Sequence, residues 1–360
     1  MTLTLGIDAR AATEEGAGGG RVVRELIRAL GARPEPHRYL LFAREAWDHP
    51  LDERFSWRPL PSPDPLWHLR TARAANHACD AFLSTNSYLT VWFLRIPGVP
   101  MVFDLVSFDS ALRPQRRSGL IERLTLPVAV RRSSALIAIS EATSRALTER
   151  FASARGKVRV VPLAASGLEH RQAELPQGVP VRDFLLAVGT LEPRKNLPRL
   201  VDAYRRLPAE MRRAHPLVVT GRLGWQSGET LAALGSLGDA AVQTGFVTDE
   251  QLALLYRRCV LFAYPSLGEG FGLPVLEAMA AGAPVLTSNR SSLPEVGGDA
   301  AAYCDPTDTA DIAAHLQELL GDPARRDEMR DAGAQRARAF SWDRTARSVL
   351  DVLEGVTAPH

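Results

Sequence analysis

The feature that most constrains the fold of this chain is an alternation, repeated twice, of short, largely apolar runs with amphipathic helical stretches. In the first half, residues 3–7, 39–42, 81–84, 100–103, 135–139 and 157–161 read as buried strands. In the second half, residues 184–188, 217–220, 241–244, 261–264, 284–287 and 301–303 repeat the theme. Helical patterns lie between several of them, as at 21–30, 121–131 and 197–207. A strand that is apolar without alternation is covered on both faces, which is the condition of a parallel sheet. The interleaved helices are the crossovers such a sheet requires. The expectation is α/β architecture, with two doubly wound, Rossmann-like domains facing across a cleft. In such sheets ligands bind beyond the carboxyl ends of the strands, so the strand-end loops carry the functional question.

The 360 residues are long enough for two domains of about 150 residues each. With 46% hydrophobic and 23% charged residues, the chain is neither disordered nor fibrous. Segment 166–182, with Gly167, Pro176, Gly178 and Pro180 and no apolar period, reads as a linker between domains 1–165 and 183–340. Residues 341–360 read as a terminal amphipathic helix opened by Ser341. Cys79, Cys259 and Cys304 are far apart and lack zinc-site spacing, so they read as reduced, partly buried thiols. The first eight residues read as a strand rather than a signal peptide. No apolar run reaches the roughly 18 residues of a membrane span. These features point to a cytoplasmic protein. The net charge of +2 argues against a nucleic-acid binder, yet residues 1–165 carry 23 Lys+Arg against 16 Asp+Glu, and the rest 20 against 25. Halves of opposite charge suggest different partners.

The densest signal is the run from Pro265 to Gly282. A strand ends at Tyr264, a loop with Gly268, Gly270 and Gly272 follows, and a helix starts near Pro274, an allowed early-helix proline. Glycines let backbone N–H groups approach an anion, and a helix N-terminus adds partial positive charge. Glu269 falls on the loop and Glu277 about one turn into the helix. A carboxylate accepts two hydroxyl hydrogen bonds, which suits a ribose or a sugar diol. Upstream, strand 184–188 runs into Gly189-Thr190-Leu191-Glu192-Pro193-Arg194-Lys195-Asn196. Two cations at a strand end suit a diphosphate, and on their own they also suit a solvated basic turn. Glu14 to Arg21, with Gly18 and Gly19, offers a close-approach loop for a donor or a plain surface loop, without Rossmann spacing.

Together these segments resemble the family 4 glycosyltransferases (glycosyl transferases group 1), which retain anomeric configuration and have the GT-B fold. The carrying residues are Gly189 to Asn196, Gly245 to Val247, Pro265-Ser266, Glu269 to Pro274, Glu277 to Ala280, Gly282 to Val285, Leu293 to Val296 and Phe340 to Trp342. The likeness is dense over about 184–345 and looser before, resting there on Gly16–Gly20 and Ala138 to Glu141. Glu269 and Glu277 match the family's pair of glutamates separated by seven residues.

The resemblance implies a hexosyltransferase that moves a sugar from a nucleotide-diphospho-sugar to an acceptor hydroxyl. Glu277 would bind the donor ribose and Glu269 the transferred sugar. Arg194 and Lys195 would hold the diphosphate, with Gly189, Thr190 and backbone groups of Phe271, Gly272 and Leu273 completing the cradle. Phe246 and Val247 would lie against the base, and the terminal helix would cross back to the first domain. Where many members have Arg after the strand-end glycine, this chain has Thr190. Where many have His-Asp, it has Phe103-Asp104, which leaves Asp104 as a candidate to take over the histidine's role. No Asp-x-Asp occurs, so no metal is expected, and no cofactor beyond the donor itself. The Pro-Arg-Lys-Asn run is similar to that of bacterial surface-polysaccharide mannosyltransferases, so a GDP-mannose donor and a glycan or lipid-linked acceptor are expected. The first half would bind that acceptor. The arginines around 121–130 admit contact with anionic lipid at the inner face of the cell membrane. A sugar-nucleotide-binding protein without transferase activity, motivated by Phe103, and a nucleotide-sugar epimerase stand as alternatives.

Overall fold

The computed structural model describes residues 2–14, 18–85, 87–109, 117–166 and 173–358. The chain divides into two compact units, Met1–Ser166 with Ser341–His360, and Gly167–Phe340.

In the first unit the strands are β1 (Thr4–Asp8), β2 (Arg38–Ala43), β3 (Phe55–Pro59), β4 (Ala81–Ser84), β5 (Gly98–Val102), β6 (Leu136–Ala138) and β7 (Val158–Val160). They pair in parallel in the order β3-β2-β1-β4-β5-β6-β7. Leu5, Ile7, Leu41, Phe82, Leu83 and Ile137 are fully buried, which accounts for the apolar runs of the central strands. β3 is an addition to the expected strands. Only Phe55 of its five residues is buried, because β3 is an edge strand and lacks a covered second face. β5 starts two residues before the apolar run suggests and ends at Val102, which leaves Phe103 in the strand-end loop.

Helix Gly19–Gly31 buries Val22, Val23, Leu26, Ile27 and Leu30, spaced to form one face. The terminal helix Trp342–Thr357 packs on it and buries Ala346, Val349, Leu350 and Leu353. Polar contacts fix that helix along its length. Trp342 Nε1 donates to the Ala165 carbonyl at 3.1 Å, Thr345 Oγ1 donates to the Pro162 carbonyl at 2.7 Å, and His37 Nε2 lies 2.8 Å from Glu354 Oε1.

In the second unit β8 (Phe184–Val188), β9 (Leu217–Thr220), β10 (Ala241–Gly245), β11 (Cys259–Tyr264), β12 (Val285–Ser288) and β13 (Ala302–Cys304) form a parallel sheet in the order β10-β9-β8-β11-β12-β13. One face of this sheet carries a core in which Leu185, Leu217 and Leu261 meet Leu200, Tyr204 and Leu316 of the covering helices. The three cysteines are free and buried. In both sheets the strand order reverses once, between β1 and β4 and between β8 and β11. At such a reversal neighbouring loops diverge and leave a crevice at the carboxyl ends of the strands.

Candidate functional site

The reversal in the second unit brings together the loops after β8 and β11, which hold the two strongest sequence signals. After β8 the chain turns at Gly189, whose φ of +142° favours glycine. A Cβ on Gly189 would lie 3.2 Å from Lys195 Cε, so the missing side chain makes room for the lysine stem. The short turn Pro193–Lys195 leads into Asn196, which adopts a left-handed conformation and starts helix Leu197–Arg205. Asn196 Nδ2 donates to the Pro265 carbonyl at 2.9 Å and to the Pro306 carbonyl at 2.7 Å. Leu267 N donates to the Arg194 carbonyl at 2.8 Å. The two loops are therefore tied through backbone groups, and their side chains are held in register.

Glu269 is the centre of what they hold, with a side chain 8% exposed. Its Oε1 accepts from Lys195 Nζ at 2.7 Å and from the Tyr264 hydroxyl at 2.8 Å, and lies 2.7 Å from Ser266 Oγ. Arg194 Nη1 pairs with Oε2, and Lys195 Nζ also donates to the Tyr264 hydroxyl. Burial alone would raise the Glu269 pKa. The charges of Arg194 and Lys195, with hydrogen bonds from Lys195 and Ser266, outweigh burial and hold it at about 2. Burial lowers the Lys195 pKa against the pull of Glu269, with Arg194 adding repulsion. Burial raises the Tyr264 phenol well above its ordinary value, so it remains a donor at neutral pH.

Both cations are paired with carboxylates. Arg194 Nε also pairs with Glu192 Oε1 at 2.5 Å. Two cations thus meet two carboxylates, and the cluster is close to neutral. Low-dielectric surroundings favour such matching over isolated buried charge. Glu192, Tyr264, Ser266 and Asn196 are the site residues that the sequence did not single out. The signal that pointed to them was their position beside the cations or at the end of β11.

Glu277 is buried on helix Leu273–Ala280, with the Tyr256 hydroxyl 3.5 Å from its Oε2. Tyr256 contacts Phe262, and Phe262 contacts Tyr264, which links Glu277 to the aromatic layer beneath Glu269. Gly272 has φ +107° and begins that helix, and a Cβ there would meet Leu293 Cδ2 at 2.7 Å. The Phe271 side chain belongs to the core, 5.9 Å from the Phe340 ring, so only its backbone can serve a cradle. Leu273 is half-buried and Thr190 exposed. Phe246 is exposed at the end of β10, with the Arg222 guanidinium 4.2 Å over its ring, and Val247 beside it is half-buried. These two sit two strands from the β8/β11 reversal.

In the first unit Gly18, at φ +56°, precedes Gly19, the first residue of helix Gly19–Gly31. Residues 15–17 of that expected loop, Asn86, Arg113, Arg116 and 167–172 lie outside the described residues. Asp104 follows β5, and its Oδ1 accepts from Val106 N at 3.0 Å. With Phe103 it lines a cavity in this unit. Trp67 is fully buried, and Trp92 donates to the Thr125 carbonyl at 2.9 Å, so both serve packing. Among the described residues no cluster of three His, Cys, Asp or Glu is placed to hold a metal, and no helix is long and apolar enough to cross a membrane.

The doubly wound fold agrees with comparison to known proteins. Residues 176–336 match the family model Glycosyl transferases group 1, and residues 16–165 match Glycosyltransferase Family 4. The chain belongs to this glycosyltransferase family. Over 173 residues it is 41% identical to the O-antigen chain mannosyltransferase B of Escherichia coli, a match covering 48% of this chain and 45% of that one. It is 31% identical over 228 residues to the MMP alpha-(1->4)-mannosyltransferase of Mycolicibacterium hassiacum, covering 62% and 54%. The matched region thus spans about half the length of these relatives. The structure of Anabaena Alr3699/HepE with UDP and glucose superimposes with a TM-score of 0.74 at 16% identity, over 98% of this chain and all of that one. The fold is GT-B, built here from parallel sheets of seven and six described strands.

Proposed function

We propose that the protein is a retaining, metal-independent hexosyltransferase, moving a mannose-type sugar from GDP-mannose to a hydroxyl of a cell-surface glycan or lipid-linked acceptor. The observation that carries this reading is the convergence of Arg194, Lys195 and Glu269 at the β8/β11 reversal. The mannosyltransferase relatives support the choice of sugar.

In this reading residues 183–340 bind the donor, 1–165 the acceptor, 166–182 link them, and 341–360 return the chain to the first domain. The donor diphosphate takes Arg194 and Lys195 as partners, with Gly189 and the Phe271–Leu273 backbone beside it. Glu269 turns to the transferred sugar, Glu277 to the ribose, and Phe246 and Val247 to the base. The bond from the anomeric carbon to the phosphate oxygen breaks, and the bond to the acceptor oxygen forms on the same face. The acceptor proton passes to the departing phosphate. Negative charge grows on that phosphate, where preorganised cations stabilise it most. Two cations and loop amides supply what a divalent metal supplies elsewhere.

The test is transfer by purified protein from a panel of nucleotide sugars to mannoside acceptors, with and without EDTA. The product anomer is read by NMR. An α-linked product from an α-configured donor, formed equally with EDTA, supports the reading. An inverted product, or activity lost with EDTA and restored by manganese, contradicts it.

The exposed side chains of Leu120, Ile121 and Leu124 on helix Arg117–Arg132, followed by Arg131 and Arg132, suit a peripheral membrane contact. Flotation with anionic but not neutral vesicles tests it. A binding protein without transferase activity remains the second reading, because Phe103 donates no hydrogen bond. Donor binding without transfer to any acceptor favours that reading.

A further inference from the structure

In the second unit the loop after β12 reaches across to the loop that carries Glu269. Glu269 N donates to Ser291 Oγ at 3.0 Å, and the Glu269 carbonyl accepts from Ser292 Oγ at 3.0 Å. The N–H belongs to the peptide plane before the Glu269 Cα, and the carbonyl to the plane after it. Two adjacent serines therefore fix both planes, and with them the direction of the Cα–Cβ bond that carries the carboxylate. Nothing in the donor assignment uses either serine.

Both serines depart from what their own segment favours. Ser291 is exposed, and its φ of +54° lies in the left-handed region that is unfavourable to any residue with a Cβ. Ser292 stands at the N-cap of helix Leu293–Gly297, where a serine hydroxyl ordinarily accepts from an amide of the first turn. It makes no such cap. Fully buried, it gives its proton to the Glu269 carbonyl instead. A left-handed backbone and an unused cap thus stand side by side, and each serine bonds to the same residue of another loop. Local rules are broken in this way at functional positions, where the surroundings compensate.

The frame behind the serines is tied down. Thr287 Oγ1 donates to the Tyr264 carbonyl at 2.9 Å, and Asn289 N to the Cys304 carbonyl at 3.0 Å. Arg336 donates to the carbonyls of Glu295 and Val296 at 2.6 and 3.0 Å. Leu293 is fully buried and fills the space that a Cβ on Gly272 would need. The segment after β12 therefore holds the stretch from Glu269 to Gly272 at both ends.

A bound donor changes some contacts of Glu269 and keeps others. In the transferase reading the diphosphate takes Arg194 and Lys195, so the carboxylate gives up both cations as it turns to the sugar. Ser291 and Ser292 bond to its backbone and compete with neither group. They keep the side chain aimed while its partners exchange.

We propose that Ser291 and Ser292 are positioning residues for the transferred sugar, acting through the backbone of Glu269, and that they take no part in holding the diphosphate. This inference rests on the transferase reading above.

The experiment compares the full chain with Ser291→Gly and Ser292→Ala. Glycine adopts φ +54° freely, so Ser291→Gly removes the hydroxyl and keeps the backbone, and it remains informative if the buried Ser292→Ala fails to fold. GDP, GDP-mannose, UDP and UDP-glucose are titrated calorimetrically, transfer is measured with whichever sugar nucleotide binds, and amide hydrogen exchange is followed at Glu269. Each variant should bind the nucleoside diphosphate as wild type does and the matching sugar nucleotide severalfold more weakly, with kcat lowered about tenfold. The Glu269 amide should exchange faster in Ser291→Gly. The affinity ratio reads the proposal even if no acceptor tried is used. An unchanged ratio, equal weakening of sugar nucleotide and nucleoside diphosphate in Ser291→Gly, or unchanged exchange at Glu269 overturns the proposal. Failure of the transferase reading is visible separately, as wild type that binds no nucleotide and transfers no sugar. That result overturns the sugar role as well, while faster exchange in Ser291→Gly would still report the backbone grip.

Discussion

Lys195 Nζ stands 2.7 Å from Glu269 Oε1, and each side chain is 8% exposed. The pair is not symmetric. Glu269 has Arg194 as a second cation, whereas Lys195 without Glu269 would be a buried ammonium beside a guanidinium. Leaving a buried charge without its partner costs about 3–5 kcal/mol. Glu269→Gln should therefore destabilise by about 3 kcal/mol. Lys195→Met should cost about 1 kcal/mol, because Arg194 still answers the carboxylate. Urea unfolding of both variants checks the order, and a larger loss for Lys195→Met would contradict it.

Glu192 pairs with Arg194 Nε and brings the cluster near neutrality. Glu192→Gln removes one negative charge next to the proposed diphosphate position. Affinity for a nucleoside diphosphate should rise, by about tenfold or less, since tenfold corresponds to about 1.4 kcal/mol. Calorimetry with GDP reads the change. Weaker binding by the variant would show that Glu192 orients Arg194 rather than competing for it.

Asn196 joins the turn after β8 to the loop after β11 through the Pro265 carbonyl, and to the segment after β13 through the Pro306 carbonyl. Asn196→Ala takes its donor from the Pro265 carbonyl, while the Pro306 carbonyl keeps Arg199 at 3.1 Å, and removes a residue suited to the left-handed backbone. A loss of about 1–3 kcal/mol is expected in chemical denaturation. Donor affinity should fall with it, because Arg194 and Lys195 lose their fixed placement. Stability lost with donor affinity intact would separate the tether from the site.

Glu122 titrates in the folded chain at about 7, above its unfolded value near 4.5. A raised carboxyl pKa means that the folded state holds its proton longer. Below pH 4.5 both states are protonated and nothing is lost. As pH rises through 7 the folded state must bury a charge, and stability falls. Glu122→Gln should match wild type near pH 4 and exceed it at pH 8 by about 1–3 kcal/mol. Melting curves across that range test the sign, and a variant less stable at pH 8 would refute it.

Much of the fold was legible because parallel strands covered on both faces leave continuous apolar runs. The run at 184–188 coincides with β8 and the run at 217–220 with β9. β3 was not legible, since an edge strand such as Phe55–Pro59 needs only one buried side chain. At the site, Arg194, Lys195 and Glu269 stood out because each follows a strand end within a distinctive run. The compensation of Arg194 by Glu192 did not, because charge pairing depends on how a turn closes rather than on spacing alone. The first-unit cavity was legible only through Phe103 and Asp104. Its other walls, Arg10, Asp64, His68 and Glu122, are scattered along the chain and come together only through the reversal of strand order between β1 and β4.

The central claim is that the cluster at the ends of β8 and β11 clasps the diphosphate of a sugar nucleotide. Calorimetric titration of GDP into wild type and Lys195→Ala tests it most directly, with melting curves confirming that the variant is folded. The account predicts saturable binding by wild type and at least a tenfold loss in the variant. Equal binding by a folded Lys195→Ala, or none by wild type with GDP or UDP, would contradict it.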